Sequence, residues 1–464
     1  MSVGIVGGGI TGLAAAYYLQ KDKIATTVFE SEAVPGGLAT SFDFGPFVWD
    51  KFYHCILTSD SYLLPLLDEL GLGGEVRWTE TKTGFFSSHG LHSMSNVREF
   101  VFFPPLTLWE KFRLGLGILR ASRLRNPSRL ENVPVADWLI SVFGRGNYEK
   151  VWDPLLNCKL GACRKETSAA WIWATIFRYY STRQKGQQRK EVLGYVRGGY
   201  RSVFRRLVER LEAGGTQFHL RTAVDRIEAG PLGGVRIRAG ECAYDFDRAL
   251  FTGTSPLFAQ VTPALDPDYA RRLKAIKYLG VVCVVLLLKR ALSRFYITNL
   301  IEPSLPFTGI IEMTELISLE ETAGRHLVYL PRYTTPDDPF FNLRDEEVWP
   351  QMKPGLLRVH PGLRDEEIEN VFVFRARSVQ PVPVMGYSAL LPPMETNLPG
   401  LFLANTTFIL NGTLNNNEMI KIARMAEARI IETQSRQSPD GSNASETERA
   451  ASVAPVFPKR PFGN

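Results

Sequence analysis

The chain has 464 residues, of which 45% are hydrophobic and 22% charged, with a formal net charge of +6 and a pI near 9.0. This length predicts two or three domains, and the composition is typical of an ordinary soluble globular protein. The positive charge favours anionic partners such as phosphorylated substrates or acidic lipid. We find no basic-aromatic module, so we expect no nucleic-acid partner.

The chain opens with a pattern that predicts a strand, a tight turn and a helix. Apolar residues 3–6 form the strand, residues 13–19 form the helix, and the turn between them has the spacing G-x-G-x-x-G. These glycines permit the turn, a close approach of backbone to a pyrophosphate, and tight packing of helix on strand. The free N–H groups of the helix also favour phosphate. The expected phosphate-binding residues are Gly7, Gly9, Ile10, Thr11 and Gly12.

A second predicted strand over residues 27–30 ends in Glu30, 18 residues after Gly12. An acid at about this separation hydrogen-bonds the adenosine ribose in dinucleotide-binding folds. A tight turn without a ligand is the alternative, and the agreement of strand, glycines and acid disfavours it.

A glycine doublet, Gly36 and Gly37, follows almost at once and gives a backbone bare enough to run along a dinucleotide. Together with the opening fingerprint it resembles the large FAD-dependent family of amine oxidases, protoporphyrinogen oxidases and phytoene desaturases. The resemblance implies non-covalent FAD, with contacts from Gly36, Gly37 and Leu38. Leu38 stands where that family usually has arginine.

Residues 45–54 resemble the segment that lies near the isoalloxazine ring in this family. His54 is our first catalytic candidate, because a neutral imidazole there is able to tune the flavin or take a proton near neutral pH. A core histidine bonded to the backbone is the alternative for this residue.

The following stretch predicts a helix over residues 63–70 that ends at Gly71, and then a short hairpin over residues 84–92. His89 and His92 are expected to be turn and strand residues of this hairpin, not metal ligands. Residues 108–180 are helix-rich, aromatic and basic, and predict an inserted helical part of a substrate domain.

Residues 195–200 lead into a predicted helix over 202–213. The resemblance implies that the chain then returns to the FAD domain, where Val224 contacts adenine through its backbone. A strand over residues 248–254 follows, and the resemblance places its Gly253 beside the dinucleotide. A plain strand entering a turn would have the same pattern.

Residues 259–385 alternate strand and helix patterns, which predict a mostly antiparallel sheet around the substrate cavity. We expect strands over 278–288, 309–313 and 371–375, and a helix that ends within the charged residues 364–370. Glu312 is the second catalytic candidate, because it is an acid in an apolar strand. It lies either in the cavity or on the solvent-facing side.

The last ordered segment resembles the closing motif of the family, in which a strand ends in an acid and a helix then points at the flavin. Here residues 398–405 predict the strand, with Asn405 in place of the acid, and residues 418–431 predict the helix. The resemblance implies that Asn405 touches the ribityl or pyrophosphate region and that Asn417 lies at the helix start beside the cofactor. Plain capping is the alternative for Asn417.

The sequence therefore predicts an α/β fold with a Rossmann-like FAD-binding domain of the glutathione-reductase type and a second, α+β substrate domain. Residues 1–88, 195–258 and 386–432 form the discontinuous FAD domain, and residues 89–194 and 259–385 form the substrate domain. Residues 433–464 are rich in Ser, Gln, Asp, Glu and Pro and predict a disordered tail.

The resemblance implies an FAD-dependent oxidoreductase that moves a hydride from a C–H or C–N bond to flavin N5. The substrate is expected to be a large, partly hydrophobic small molecule, with an anionic part or a lipid carrier. The electron acceptor is left open. We find no flavin-facing lysine of the amine oxidase type in the sequence, which disfavours a true amine oxidase.

Three alternatives accompany this prediction. The first is a non-redox, flavin-dependent isomerase that resembles UDP-galactopyranose mutase, for which Arg178, Arg183 and Arg189 would grip a diphosphate. The second is a peripheral membrane enzyme that binds lipid through one apolar side of a helix. This side, a narrow wedge of the helical wheel, comprises Trp109, Phe112, Leu116 and Leu119. Arg120 and Arg123 fall on or beside this wedge and disfavour membrane binding. The third is a flavin-free binding protein.

Five scattered cysteines and six histidines give no metal-ligand pattern, so no metal is expected. Reduced thiols in the cytoplasm fit best, and a redox pair of Cys158 and Cys163 is the less favoured alternative. The start of the chain does not have the pattern of a secretory signal. The longest apolar run, residues 280–288, is too short to cross a bilayer.

Overall fold

A computed structural model describes residues 1–124, 127–184, 191–231, 233–302, 304–410 and 412–437. The α-helices are α1 (Ile10–Lys21), α2 (Leu63–Glu69), α3 (Val97–Val101), α4 (Leu108–Arg123), α5 (Val135–Phe143), α6 (Arg145–Asn147), α7 (Asp153–Leu160), α8 (Ala169–Gln184), α9 (Gly199–Ala213), α10 (Ser255–Val261), α11 (Pro267–Ala275), α12 (Asp345–Val359), α13 (Tyr387–Leu390) and α14 (Asn416–Gln437). The strands are β1 (Ser2–Val6), β2 (Ala25–Phe29), β3 (Ser41–Asp43), β4 (Val48–Asp50), β5 (Ile56–Leu57), β6 (Val76–Glu80), β7 (Thr83–Ser87), β8 (Gly90–Ser93), β9 (Val192–Val196), β10 (Gln217–His219), β11 (Arg226–Ala229), β12 (Val235–Ala239), β13 (Cys242–Phe246), β14 (Arg248–Phe251), β15 (Tyr278–Leu288), β16 (Ile297–Leu300), β17 (Gly309–Glu312), β18 (His326–Thr334), β19 (Ile368–Pro381) and β20 (Leu401–Leu403).

A five-stranded parallel sheet, in the order β10-β2-β1-β14-β20, organises the part of the chain that carries the glycine motifs. Strand β1 lies at its centre, with Gly4 opposite Thr27 on one side and Ala249 on the other. Parallel sheets need helices or further strands on both faces, since both faces are buried. The sheet joins stretches 2–29, 217–251 and 401–403, as the discontinuous Rossmann-like domain requires, and the predicted fold class is confirmed.

The two faces of this sheet have different covers. Helices α1, α9 and α14 pack on one face, where Leu13, Leu207 and Ile420 share one buried core. The other face packs on the antiparallel sheet β11-β12-β13 and on α10 and α11, through residues such as Ile237 and Phe258. Helix α1 is buried along most of its length, so its N-terminus is held firmly against the sheet.

The second large sheet has seven strands in the order β19-β15-β18-β17-β16-β7-β8, and all its neighbouring pairs are antiparallel except β16 with β7. Every residue of β15 is buried. Val281, Cys283 and Val285 face a core shared with residues 38–57, whereas Val282 and Val284 face α12. The period-2 alternation therefore buries both faces of the predicted strand.

The helical insertion over residues 97–184 has a core of its own, built mostly from α4, α5, α7 and α8, as the aromatic stretch predicts. Strand β7 belongs to the seven-stranded sheet, and β9 pairs with β5 and β6 in a three-stranded sheet. No helix in the described ranges combines the length and the apolar character that crossing a bilayer would require.

The helix end predicted within residues 364–370 is wrong. Helix α12 already ends at Val359, and residues 365–367 form a short 3-10 turn that leads into β19. The charges serve this turn: Glu367 accepts a hydrogen bond from the Arg364 amide at 2.9 Å and pairs with Arg290. At the end of the chain, α14 continues to Gln437, and residues 438–464 of the predicted tail lie outside the described residues.

Two glycines of α4 give a matched test of this packing. An ideal Cβ at Gly117 would lie 2.4 Å from the Phe143 ring, whereas one at Gly115 meets nothing within 4 Å. We expect Gly117→Ala to lower the free energy of unfolding by about 1–3 kcal/mol through overpacking. We expect Gly115→Ala to raise it by about 0.5–1 kcal/mol, because Gly is the poorer helix former. Urea unfolding followed by circular dichroism checks both, and shifts of the same sign would contradict the packing of α4 on α5.

Candidate functional site

The fingerprint turn between β1 and α1 is as tight as its glycines allow. Gly7 has φ +111°, a conformation that favours glycine. An ideal Cβ at Gly12 would lie 2.0 Å from the Gly7 carbonyl oxygen, so helix and turn are in direct backbone contact there. The first and third glycines are therefore required by the protein itself.

Gly9 differs from these two glycines, because the space around it is open. An ideal Cβ at Gly9 would meet only the Gly37 Cα, at 3.9 Å. Gly9 and Gly36 form an isolated parallel bridge, and the Gly36 amide donates to the Gly8 carbonyl at 3.0 Å. The two glycine motifs thus place two bare backbones side by side, as a dinucleotide cradle requires.

Helix α1 begins at this cradle. Gly9 is its N-cap, no side chain in the described residues caps it, and its first turn holds no acid. Ile10, Thr11 and Gly12 contribute the first backbone N–H groups, which have no partner inside the helix. Such a helix end binds phosphate groups well, so the residues present fit the diphosphate of FAD.

Glu30 lies at the end of β2, directly beside the turn. Its Oε2 accepts a hydrogen bond from the Gly8 amide at 2.7 Å, and its Oε1 accepts one from the Glu32 amide at 2.9 Å. The Thr222 amide donates to the Glu30 carbonyl at 2.8 Å, which brings the segment of Val224 alongside. The structure therefore brings the expected ribose acid and the expected adenine-side segment together.

The end of β14 holds the turn from the other side. The Thr252 hydroxyl donates to the carbonyls of Val6 and Gly7, at 3.0 and 3.2 Å. Gly253 follows, and its carbonyl accepts a hydrogen bond from Asn405 Nδ2 at 2.7 Å. Asn405 is buried, and its Oδ1 accepts from the Thr407 amide at 3.0 Å. Its amide therefore links the ends of β14 and β20.

Asn417 lies in the first turn of α14 but serves another helix. Its Oδ1 accepts hydrogen bonds from the amides of Tyr62 and Leu63, at 2.7 and 3.1 Å, and so caps α2. Asn415 caps α14 through the Glu418 amide at 3.0 Å. The capping alternative thus describes the contacts of Asn417 in the protein, although the capped helix is not its own.

His54 lies in a small polar cluster between the two sheets. Its Nδ1 is 3.5 Å from Asp50 Oδ2, and its ring centroid is 5.0 Å from that of Tyr200. Asp50 is buried, and its Oδ1 accepts a hydrogen bond from the Tyr200 amide at 3.1 Å. Burial raises the pKa of the Asp50 carboxyl, and His54 and the Tyr200 amide partly offset that rise. The Asp50 carboxyl group is thereby held near one nitrogen of His54.

Glu312 is buried, and both of its oxygens contact a turn. Its Oε2 accepts from the amides of Leu292 and Ser293, at 2.9 and 3.0 Å, and its Oε1 accepts from the Ser293 hydroxyl. Burial raises the pKa of Glu312, while these hydrogen bonds act in the opposite direction. The carboxylate closes the turn that leads into β16.

Sequence reasoning missed a chain of three side chains that crosses between the two halves of the molecule. The hydroxyl groups of Tyr53 and Tyr333 are 3.1 Å apart, and Lys159 Nζ lies 3.2 Å from the centroid of the Tyr333 ring. Leu38, Phe374 and Leu414 pack on the same core. Tyr53 is detectable from the sequence, because it adjoins the candidate His54. Lys159 is not, because nothing in the sequence distinguishes it from other lysines in helices.

Arg178, which the isomerase alternative needs for a diphosphate, is engaged elsewhere. Its Nη2 lies 2.9 Å from Asp60 Oδ1, and its Nη1 is 3.5 Å from the Thr413 hydroxyl. This ion pair ties α8 to the FAD side of the protein. The Arg183 side chain and Arg189 lie outside the described residues.

The cysteines are free thiols, and no group of His, Cys, Asp and Glu in the described ranges is arranged to hold a metal. Burial raises the pKa of Cys158 to about 11 and also raises that of Cys163. Thiolates are the reactive form, so these environments disfavour redox chemistry at the pair. His92 Nε2 contacts the His89 carbonyl at 2.8 Å within the predicted hairpin.

Comparison with known proteins identifies related sequences and folds. The family model described as flavin containing amine oxidoreductase matches residues 10–415. Protoporphyrinogen oxidase 2 of Arabidopsis thaliana is 27% identical over 162 residues, which are 33% of this chain and 32% of that protein. Protoporphyrinogen oxidase of Nicotiana tabacum is 37% identical over 70 residues, or 15% and 14%. The chain thus matches about a third or less of each curated relative's length.

Solved structures share the fold over nearly the whole chain. A putative protoporphyrinogen oxidase from Exiguobacterium has a TM-score of 0.72 at 20% identity and covers 93% of this chain and 99% of its own. A reduced UDP-galactopyranose mutase gives 0.71 at 15%, covering 93% and 96%. A putrescine oxidase bound to putrescine gives 0.69 at 17%, covering 93% and 99%. At these identities the likeness concerns the fold alone.

The open space at Gly9 gives a direct test of where FAD binds. We expect Gly9→Ala to weaken FAD binding at least about tenfold, because the methyl group occupies the space that the diphosphate needs. The thermal midpoint of the FAD-free protein should not change, since the methyl group meets almost no protein atom. FAD titration and thermal unfolding measure the two effects.

Two further glycines serve as controls. Gly12→Ala should damage the FAD-free protein itself, through contact with the Gly7 carbonyl, whereas Gly74→Ala has open space and should change neither property. Full FAD affinity in a folded Gly9→Ala protein would contradict FAD binding at this turn.

Proposed function

Because the chain belongs to the flavin-containing amine oxidoreductase family and is an FAD-dependent oxidoreductase, we propose that it oxidises a C–H or C–N bond of a large, partly hydrophobic substrate. Bound FAD supplies a hydride acceptor at its N5 atom. The observation that carries this proposal is the core shared by residues 38–57 and the seven-stranded sheet, in which aromatic side chains pack beside the segment that follows the glycine doublet.

The polypeptide must bind both molecules and keep water from the reacting carbon. Leu38 immediately follows the glycine doublet and packs on the same core as Phe42, Tyr53, Tyr333 and Phe374. A substrate seated on these rings would contact apolar and aromatic surface for most of its area. This arrangement suits a flat or elongated hydrophobic molecule better than a small polar amine.

Tyr53, Tyr333 and Lys159 are the residues to which we assign substrate contact. Tyr53 comes from the cofactor side, Tyr333 from β18, and Lys159 from α7, so the three span the junction of the two domains. The half-buried Lys159 ammonium supplies positive charge for an anionic group of the substrate. This charge gives specificity without taking part in bond breaking.

We assign the proton-handling role to His54. Asp50 Oδ2 lies 3.5 Å from Nδ1 and orients the imidazole ring. Nε2 is then the atom that takes the proton released when the C–H or C–N bond is oxidised. We assign no chemistry to Glu312, because its oxygens accept hydrogen bonds from the 292–293 turn.

Non-redox isomerisation remains the second candidate, and the fold shared with UDP-galactopyranose mutase is the observation that favours it. Arg178 argues against isomerisation, because its guanidinium pairs with Asp60.

A cytoplasmic location is also part of the proposal, since the five cysteines are free thiols.

Anaerobic flavin reduction discriminates between these candidates. The purified holoprotein is mixed with protoporphyrinogen, a conjugated polyene precursor and a primary amine, and loss of the visible flavin absorbance is followed. We expect a tetrapyrrole or polyene to reduce the flavin faster than the amine does. The curated relatives are protoporphyrinogen oxidases, which makes the tetrapyrrole the first compound to test.

The same protein, reduced with dithionite and supplied with UDP-galactopyranose, is the control for the isomerase alternative. Ring isomerisation there, together with no flavin reduction by any compound, would overturn the oxidation proposal. Reduction by the amine alone would make the protein an amine oxidase and contradict the substrate class.

Lys159→Met keeps the side-chain length and removes the charge. For an anionic substrate that reduces the flavin, we expect KM to rise roughly tenfold or more with little change in kcat, because a charge-assisted contact is lost from binding. Lys165→Met removes an exposed lysine only five residues after α7 and should leave KM unchanged. Equal KM values in the two variants would show that Lys159 does not contact the substrate.

A further inference from the structure

We propose that the end of the helical insertion formed by α3 and the first turns of α4 docks on an anionic lipid surface. Six large apolar side chains are exposed there within 16 residues of sequence. We call them the apolar tip: Val97, Val101, Phe102, Leu108, Trp109 and Phe112. Phe102 is 72% exposed, Leu108 75% and Trp109 68%. A cluster of this kind on a protein surface marks a binding site.

The apolar tip is held rigidly in its exposed position. The opposite face of α4 is buried through Leu114, Gly117 and Ala121, so α4 cannot turn the tip inward without losing that packing. Thr107 and Glu110 form a capping box at the start of α4. Lys111 Nζ donates to the Val101 carbonyl at 2.7 Å, which fastens α3 to α4.

Two aromatic rings of the tip are already paired. Trp109 and Phe112 stack with ring centroids 5.7 Å apart while both remain exposed. Tryptophan and phenylalanine next to lysine and arginine are characteristic of helices that lie in the membrane interface. The exposed rings therefore need no rearrangement before they enter a lipid headgroup region.

The charges near the tip are complementary to anionic headgroups. Residues 97–124 contain the basic side chains Arg98, Lys111, Arg113, Arg120 and Arg123. The same residues contain two acids, and both make side-chain contacts within the protein. Glu99 accepts hydrogen bonds from Ser93 and Ser95, and Glu110 pairs with Lys150 at 2.8 Å. With five basic and two acidic residues, the formal charge of this region is +3, which favours attraction to anionic lipid.

Arg120 and Arg123 disfavour a membrane helix in the sequence because they share the wedge of Trp109 and Phe112. The structure separates them along the helix instead. The apolar residues occupy the first turns of α4 beside α3, and the exposed arginines occupy its last turns. With the tip inserted, the arginines lie at headgroup level. Arg125, the next basic residue, lies outside the described residues.

Vesicle flotation of the full-length holoprotein tests this proposal. Vesicles of phosphatidylcholine alone are compared with vesicles that also contain phosphatidylglycerol. We expect binding to the mixed vesicles and at least about tenfold weaker binding to the neutral ones. We expect Trp109→Ser/Phe112→Ser and Arg120→Gln/Arg123→Gln each to weaken binding to the mixed vesicles roughly tenfold or more.

The matched control is Trp78→Ser/Leu319→Ser, which removes exposed apolar side chains elsewhere and should bind like the unchanged protein. The FAD content of every variant must equal that of the unchanged protein, which separates this test from a failure of the cofactor site. Absence of binding to the mixed vesicles would overturn the proposal, as would equal binding by Trp109→Ser/Phe112→Ser. Self-association that this variant abolishes, without vesicle binding, would instead make the tip an interface between copies.

Discussion

The structure depends on one backbone contact, the approach of α1 to the carbonyl of Gly7. Only glycine at position 12 permits it, since a Cβ there would lie 2.0 Å from that oxygen. Two other parts of the chain contact the same turn. Glu30 and Gly36 bond to Gly8 from the β2 side, and the Thr252 hydroxyl bonds to Gly7 from β14. The turn proposed to bind the cofactor is therefore also a point at which β1, α1, β2 and the end of β14 are joined.

This constraint explains how the two halves of the protein share one site. The glycine doublet lies against Gly9, and the residues that follow it pass directly into the core beneath the seven-stranded sheet. The same short segment thus borders the cofactor cradle and forms the wall of the proposed substrate site. Asp50, Tyr53 and His54 lie within it, and buried contacts to Tyr200 and Tyr333 fix it from both domains.

Local patterns predicted most of the fold, and the reason is physical. Gly7 and Gly12 are required by backbone contacts within one turn, and the apolar run 280–288 is buried on both faces of one sheet. Residues whose role depends on distant partners were less accessible. Asn417 caps α2, more than 350 positions away in sequence, and Lys159 reaches Tyr333 across a domain junction. The charges in 364–370 form a turn with Arg290, which no local pattern shows.

The most direct test of this account is the absorption spectrum of the purified protein, recorded before and after heat denaturation and removal of the precipitate. We expect an oxidised flavin spectrum in the native protein and about one equivalent of FAD per chain in the supernatant after heating, because backbone groups of the cradle would bind the cofactor without a covalent bond. A colourless protein that takes up no added FAD, or flavin that stays with the precipitated chain, would contradict it.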